Sequence, residues 1–227
     1  MAKFTHLHVH SHYSLLDGLG KVEELIARAQ ELGMDALAIT DHGNMHAAVE
    51  FYTQCKEAGI KPIIGVESYL APRGMLDKVP KIDSNPYHQL LLAKDETGYK
   101  NLLYLVSEAY TKGMYYKPRI DLDLLAKHSK GLIGTSSCLA GIVPEAIVGG
   151  DMEKAVALIK RFLDIFEGDF YLELQHHPSL PDQVKLNEGL KQIAKELKLP
   201  LIATGDVHYI NKEDHELHEV LLAVNTG

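Results

Sequence analysis

Two short motifs near opposite ends of the chain carry side chains that suit metal binding. His8 and His10 flank a valine close to the start, and Asp206 and His208 flank another valine after the apolar run PLIAT. Residues two apart in a strand face the same side, so each motif can present two ligands to one metal ion. Histidine and carboxylate are ligands of zinc and manganese. Two such pairs beside apolar runs predict a metal site at the carboxyl ends of strands in a parallel barrel.

Two further motifs place polar groups at the ends of apolar runs. TDHG (residues 40–43) ends the run ALAIT, and GVE (residues 65–67) follows PII. We favour His42 as a ligand and Asp41 as a group that holds the imidazole of His42 in position. Capping of the next helix is the alternative role for Asp41. Glu67 can bridge two metal ions, although such a residue taken alone is more often a solvated glutamate at the start of a loop.

Three more candidates have two interpretations each. Asp17 in LLDG is either a ligand or a turn residue before glycine. Cys138 follows LIGTSS and is either a ligand or a small buried hydrophobe. His88 opens an apolar run instead of closing one, which conflicts with the strand-end rule unless its strand is antiparallel or irregular. Cys55 lies within helical spacing and is predicted to belong to the core.

The other histidines receive weaker roles. His6 is predicted to lie in the barrel interior below the site, and His12 is left unassigned. His176 and His177 follow the run DFYLEL but precede a proline, which favours a loop over ligation. Solvated positions on helices or at their ends are predicted for the remaining four, His46, His128, His215 and His218.

The segment YYKPRI contains groups that recognise nucleic acids in other proteins. Arg119 can contact a phosphate, or it can form a salt bridge or a contact with another domain. Tyr115 and Tyr116 can stack on a base, or they can pack against another domain. The pattern does not decide between these alternatives.

Alternating apolar runs and amphipathic stretches must position these side chains. Strands are predicted near 4–9, 36–40, 62–66, 88–93, 132–136, 169–174 and 200–204, and helices near 22–32, 44–58, 102–110, 155–166, 190–197 and 213–224. This alternation predicts a parallel sheet, closed as an imperfect seven-stranded barrel or open and doubly wound. Residues 71–86 contain three prolines and are predicted to form an exposed loop.

The composition excludes several classes of protein. Of 227 residues, 46% are hydrophobic and 24% charged, as in ordinary soluble globular proteins, and no apolar run approaches the ~20 residues of a membrane span. The start lacks the apolar core of a signal peptide, and two cysteines give no disulfide framework, so we expect a reducing cytoplasm. A net charge of −8 argues against a self-sufficient nucleic-acid binder. No membrane partner is expected.

The motifs HVHS (8–11), TDHG (40–43), GVE (65–67) and DVH (206–208) resemble the four motifs of the polymerase-and-histidinol-phosphatase (PHP) superfamily. The segments LLDG, YHQLLLAKDETGYKNL, YYKPRID and SSCLAG are similar to the amino-terminal PHP domains of bacterial DNA polymerase III alpha subunits. The resemblance implies an α/β fold, a distorted seven-stranded (β/α)7 barrel of the PHP type. It also implies that residues 1–227 form a single PHP domain, the amino-terminal fragment of a longer polymerase chain.

The resemblance further implies two to three divalent metal ions, with zinc favoured and manganese or iron admitted. One ion would be held by His8, His10, Glu67 and Asp206, and a second by Glu67, His88 and Cys138, with Glu67 bridging. The third ion would be held by Asp17, His42 and His208. On this basis Asp17, His88 and Cys138 are expected to be ligands.

The activity implied is metal-dependent 3′–5′ exonuclease proofreading of DNA. A hydroxide held between metal ions would attack the terminal phosphodiester, with Glu67, Asp206 and His208 as the catalytic residues. The expected partners are a DNA 3′ end, the remaining polymerase domains and other replisome subunits. Two alternatives stand beside this hypothesis: a small-molecule phosphatase or phosphoesterase of the same superfamily, and a catalytically silent structural module of the polymerase.

Overall fold

The computed structural model describes residues 4–226 of the chain. The chain divides into two compact units, Met1–Val66 with Gly205–Gly227, and Glu67–Thr204. Strands and helices alternate along most of the chain, so the predicted α/β class is confirmed. The prediction of a single PHP domain over residues 1–227 stays a prediction. Within residues 4–226, no helix is both long and apolar enough to cross a bilayer.

Eight strands and eight α-helices make up the described chain. The strands are β1 (Ala36–Ile39), β2 (Lys61–Leu70), β3 (Tyr87–Ala93), β4 (Met114–Tyr115), β5 (Lys117–Ile120), β6 (Leu132–Thr135), β7 (Phe170–Gln175) and β8 (Leu201–Thr204). The helices are α1 (Val22–Glu31), α2 (Ala48–Glu57), α3 (Glu96–Thr111), α4 (Leu122–Lys127), α5 (Ile142–Val148), α6 (Met152–Ile165), α7 (Pro181–Leu197) and α8 (His215–Thr226), the last preceded by a 3-10 turn (Lys212–Asp214). The sequence did not predict β4, β5, α4 or α5, because each is too short to show a period.

The first unit is built on a parallel pair, β1 with the first half of β2. The strand predicted near 4–9 is not a regular strand, and in residues 4–9 only an isolated parallel bridge of Val9 with Val207 is present. The reason is that the Thr40 side-chain hydroxyl accepts from the Val9 N–H at 2.8 Å, which takes the place of a ladder bond. The segment is still extended, because the His10 N–H donates to the Val207 carbonyl at 2.8 Å.

An apolar core holds this unit together. The buried face of α1 carries Val22, Leu25, Ile26 and Ala29, spaced as one side of a helix. It packs in one cluster with residues from β1 and α2, including Leu37, Ile39, Phe51 and Cys55. The prediction that Cys55 belongs to the core is confirmed, and burial raises the pKa of its thiol to about 11.

The second unit contains a mixed sheet with the order β4-β5-β2-β3-β6-β7-β8. Strands β6, β7 and β8 are parallel, as predicted. Strand β3 is antiparallel to β6, and β4 is antiparallel to β5. The departure from a fully parallel sheet occurs where no helix separates β2 from β3, so the strand–helix–strand pattern that fixes a parallel direction is broken there.

The loop 71–86 has no regular helix or strand, as predicted, but its backbone is anchored by one arginine. Arg119 is fully buried, and its guanidinium donates to the carbonyls of Gly113, Asp83, Met75 and Asp77 at 2.9–3.1 Å. The suggested phosphate contact of Arg119 is therefore wrong, because every guanidinium nitrogen is used by backbone carbonyls that would otherwise be left unsatisfied.

A buried carboxylate completes the anchoring of this loop. Asp83 accepts two hydrogen bonds from Arg73, at 3.0 and 2.6 Å, and one from the Val79 N–H at 2.7 Å. The guanidinium of Arg73 lowers the pKa of Asp83 from 3.8 to about 2, against the opposing effect of burial. The ionised form is thus the form that the folded loop requires.

Acid should destabilise the protein through Asp83. A carboxyl whose pKa is lower in the folded state stabilises the fold above its unfolded pKa, and this stability is lost as pH falls through the folded value. The loss should therefore run from about pH 4 to about pH 2. We expect Asp83→Asn to unfold more easily at pH 7 and to show a smaller loss of stability over that range. Denaturant unfolding at several pH values measures both, with Asp123→Asn as an exposed control. Equal pH slopes in wild type and Asp83→Asn would contradict this role.

Candidate metal centre

Three electron-pair donors converge in the first unit. Nε2 of His8 and Nε2 of His10 each lie 3.3 Å from Oδ1 of Asp206. Both histidines are fully buried, and Asp206 is largely buried. Ligand atoms about 2.1 Å from a tetrahedral zinc ion are about 3.4 Å apart, so this spacing fits a shared ion. The structure thus brings together three of the ligands that the sequence predicted for the first metal.

A second group of donors in the same unit contains the three ligands predicted for the third ion. Asp17 Oδ2 lies 2.8 Å from His42 Nε2, and Asp17 Oδ1 lies 3.4 Å from His208 Nε2. The ring of His10 stacks on those of His42 and His208, with centroids 4.1 and 4.3 Å apart. Burial alone would raise the pKa of Asp17, but the hydrogen bond to His42 and the charge of His208 hold it below its usual value. These contacts favour Asp17 as a ligand over a simple turn residue.

Hydrogen bonds fix which nitrogen of His10 can bind a metal. Ser14 Oγ has one proton, which it donates to Asp41 Oδ1 at 2.8 Å. It must therefore accept from His10 Nδ1 at 3.1 Å, so Nδ1 of His10 carries a proton and Nε2 is the nitrogen that a neutral imidazole offers to a metal. Nε2 lies 3.3 Å from the Asp206 carboxylate oxygen. A nitrogen and an oxygen at this separation can bind one divalent ion, which makes Nε2 the candidate metal-binding atom of His10.

The same logic applies to His208. Its Nδ1 lies 2.9 Å from the carbonyl oxygen of Asp206, which can only accept. Nδ1 is therefore protonated, and Nε2 is the nitrogen that lies towards Asp17. Asp206 itself has a left-handed backbone with φ of 48°. Such strain in a non-glycine residue is typical of functional sites.

Asp41 was predicted to support His42, but the structure links it to His10 through Ser14. It is buried and accepts from the N–H and Oγ of Ser11 as well as from Ser14. Burial raises its pKa, and the serine hydrogen bonds offset part of that rise. Asp41 thus orients His10 through Ser14. It does not cap a helix, because α2 begins at Ala48.

The second unit has a ligand cluster of its own, formed by Glu67, His88 and Cys138. His88 Nδ1 lies 3.1 Å from Glu67 Oε2, and Cys138 Sγ lies 3.4 Å from Glu67 Oε1 and 3.5 Å from His88 Nδ1. Nitrogen, oxygen and sulfur donors at these distances suit zinc. His88 opens β3 yet belongs to the cluster, because β3 runs antiparallel to β6 and Cys138 follows β6. Bridging of a first-unit metal by Glu67 stays a prediction.

A buried relay that the sequence did not reveal holds this second cluster. Ser137 has a left-handed φ of 62° and donates from Oγ to Glu67 Oε1 at 3.0 Å. Its N–H donates to Thr135 Oγ1 at 3.0 Å, and Thr135 Oγ1 in turn donates to the buried Glu173 at 2.5 Å. The relay fixes the strained loop that presents Cys138. No sequence signal marks it, since serine, threonine and glutamate are common in strands and loops.

The structure also places several histidines that are not predicted ligands, and one of them contacts the loop that carries Asp17. His218 was expected to be solvated, but its Nε2 lies 2.9 Å from the Asp17 carbonyl, so α8 contacts the ligand loop. His6 lines a mostly apolar cavity with Val9 and Leu37, in agreement with an interior role, and burial lowers its pKa. The groups of three donor residues found among residues 4–226 include neither His176 nor His177.

Fold and side chains together define an α/β protein with a cluster of histidines and carboxylates that could hold metal. Residues 6–177 match the family described as PHP domain, and the chain belongs to that family. A crystal structure of a protein described as a metal-dependent phosphoesterase, from Bifidobacterium adolescentis, matches with a TM-score of 0.57 and 16% identity, over 93% of this chain and 90% of that one. At this identity the match shows the fold alone. The predicted PHP-type fold is confirmed.

Curated relatives narrow the family further. DNA polymerase III subunit alpha of Borreliella burgdorferi is 47% identical over 227 residues, which cover 100% of this chain and 20% of that protein. The same subunit of Thermus aquaticus is 45% identical over 228 residues, covering 99% of this chain and 19% of its own. The chain therefore spans about a fifth of the length of these relatives. The sequence prediction that it resembles the PHP domain of this subunit is confirmed.

Removal of metal should lower the melting temperature, because ligands that bind only the folded state stabilise it. A loss of about 2.7 kcal/mol, as for an ion at a hundred times its Kd, corresponds to roughly 5–10 °C in a chain of this size. Thermal unfolding with and without a chelator measures this shift. His10→Ala should show a smaller shift. An unchanged melting curve in protein of verified zero metal content would refute the expectation.

Loss of the Ser14 hydroxyl should weaken metal binding about 10- to 100-fold, because it releases the proton of His10 Nδ1 from its acceptor. Competition titration of Ser14→Ala against a chromophoric chelator measures the affinity. Ser107→Ala is the matched control, since Ser107 is exposed on α3 and its hydroxyl contacts only that helix. If Ser14→Ala and Ser107→Ala bind metal equally well, Ser14 does not orient the ligand.

Proposed function

We propose that the protein is a metal-dependent phosphodiesterase that removes nucleotides from DNA 3′ ends, as the proofreading part of a replicative polymerase. The observation that carries this proposal is the donor arrangement in the first unit. Nε2 of His10 and Nε2 of His208 lie 3.3 and 3.4 Å from carboxylate oxygens of Asp206 and Asp17, while the Nδ1 atom of each histidine is held by a hydrogen bond. That arrangement suits divalent ions and needs no serine or cysteine nucleophile.

Bound divalent ions would activate water at neutral pH and neutralise the charge on a phosphate. The residues His8, His10 and Asp206 would hold one ion, and Asp17, His42 and His208 another. Glu67, His88 and Cys138 would hold an ion in the second unit, where the thiol and imidazole favour zinc over manganese or iron. The ligand groups support two to three ions in all.

The chain's own groups would orient and move protons. Asp206 is the proposed proton acceptor, because its strained backbone fixes Oδ1 among three imidazoles. His208 would transfer a proton only when its Nε2 is not bound to a metal ion, since a metal-bound imidazole is a poor base. Glu67 would hold its position through the hydroxyl of Ser137. These three are the proposed catalytic residues.

DNA is the proposed substrate because the curated relatives are polymerase subunits. A net charge of −8 makes a stable grip on DNA by this chain alone unfavourable. We therefore propose that other domains of a polymerase deliver the 3′ end, together with other replisome subunits. A cytoplasmic location follows from that proposed role.

An exonuclease assay tests the proposal. Metal-loaded wild type should release nucleoside monophosphates from single-stranded DNA labelled near its 3′ end, and His10→Ala and Asp206→Asn should lose at least about a hundredfold in rate. His46→Ala is the control, because His46 is exposed and lies outside the ligand groups. Metal content is measured for every variant.

Three outcomes would contradict the proposal. Equal rates in wild type and His10→Ala would reject the metal mechanism. Rapid hydrolysis of small phosphate monoesters without release of nucleotides from DNA would favour a small-molecule phosphatase. Metal-loaded protein with neither activity would favour a structural module of the polymerase.

A further inference from the structure

A groove of about 480 Å³ lies in the second unit beside the ligand cluster Glu67–His88–Cys138. Its lining includes His88 itself, so it opens onto a predicted metal ligand. The other lining residues that matter for recognition are Tyr69, Ser84, Asn85, Tyr116 and Lys117. A volume of this size falls in the range of small-molecule pockets, ~300–1,000 Å³.

The tyrosine pair of the YYKPRI segment divides into two roles. Tyr115 faces the chain, since the Arg119 guanidinium lies 5.1 Å from the centre of its ring. Tyr116 is 74% exposed and lines the groove. It occupies the tip of the tight turn between β4 and β5, where Tyr115 pairs with Lys117, and its φ is 60°. A bulky residue at this angle costs stability that glycine would avoid, which indicates a use for the ring itself.

Lys117 supplies the positive charge of the groove, and its ammonium group contacts an aromatic ring. Lys117 Nζ lies 5.4 Å from the centre of the Tyr69 ring, and that ring meets His88 edge-on with centroids 5.5 Å apart. Within residues 4–226, no carboxylate forms an ion pair with Lys117, so its charge is available to a ligand. The amide of Asn85 adds a polar group at the rim.

We infer that this groove binds one nucleotide, with its base on the exposed ring of Tyr116 and its phosphate against Lys117. An aromatic face stacks on any base, and an ammonium group attracts phosphate. The groove borders His88, so a nucleotide held there would lie beside the Glu67–His88–Cys138 cluster. The choice of a nucleotide rests on the proposed function, because it is the unit that an exonuclease must hold.

Binding of two small probes tests the inference without any hydrolysis. Isothermal titration compares deoxyadenosine monophosphate with 2-deoxyribose 5-phosphate, which lacks the base. Wild type should bind the nucleotide at least about fivefold more tightly, the weaker end of base stacking on an aromatic side chain. Tyr116→Ala should bind both probes equally, and Tyr116→Phe should keep the preference. Lys117→Gln should weaken both probes by the same factor.

Two variants guard against misfolding and indirect effects. Tyr116→Gly removes the ring but relieves the left-handed backbone, so loss of preference in this variant cannot be attributed to strain. Tyr52→Ala removes an exposed tyrosine from α2 in the first unit and should bind both probes as wild type does. Equal affinity of wild type for the two probes, or a preference that survives Tyr116→Ala and Tyr116→Gly, would overturn the inference. The exposed ring would then be a contact for another protein domain.

The test separates this inference from the proposed reaction. A base preference that depends on Tyr116, in a protein that hydrolyses no DNA, would support the groove and reject the exonuclease. Exonuclease activity with an unchanged Michaelis constant in Tyr116→Ala would reject the groove and support the reaction.

Discussion

A buried cluster of imidazole nitrogens and carboxylate oxygens is the constraint on which the site depends. Nε2 of His10 lies 3.3 Å from Asp206 Oδ1, and Nε2 of His208 lies 3.4 Å from Asp17 Oδ1. Water cannot screen these contacts fully, because His10 is fully buried and the other three side chains are mostly covered. A divalent cation bound between such groups would attract both the imidazole nitrogen and the carboxylate, and more strongly at low dielectric. A metal ion held there would therefore stabilise the folded first unit.

In each unit a serine bonds both to a predicted ligand and to a buried support, and so orients the ligand. In the first unit Ser14 links His10 to Asp41. In the second unit the Ser137 hydroxyl donates to Glu67, and the Ser137 N–H donates to Thr135, which is bonded to the buried Glu173. Both serines are neutral, so they orient the ligand without adding a competing charge. The bond from the Ser137 N–H to Thr135 accompanies the positive φ angle of Ser137.

The short segment YYKPRI contains residues that stabilise the loop 71–86 and residues that are exposed for recognition. The guanidinium of Arg119 donates to backbone carbonyls, and the ring of Tyr115 lies 5.1 Å from it. Their neighbours Tyr116 and Lys117 are left exposed beside the groove.

Local pattern determined the class of fold and the shared face of the first ligand pair. The spacing of His8 and His10 predicts their common side, because alternation is a property of an extended segment. The left-handed backbone of Asp206 interrupts that alternation in the second pair, Asp206 and His208. Only the tertiary structure decided the direction of β3, which brings His88 to Cys138, and the burial of Arg119. It also decided which atoms hold Nδ1 of His10 and Nδ1 of His208, and it brought His218 to the Asp17 loop. Strand direction and hydrogen-bond partners depend on residues distant in the chain, whereas periodicity depends on near neighbours.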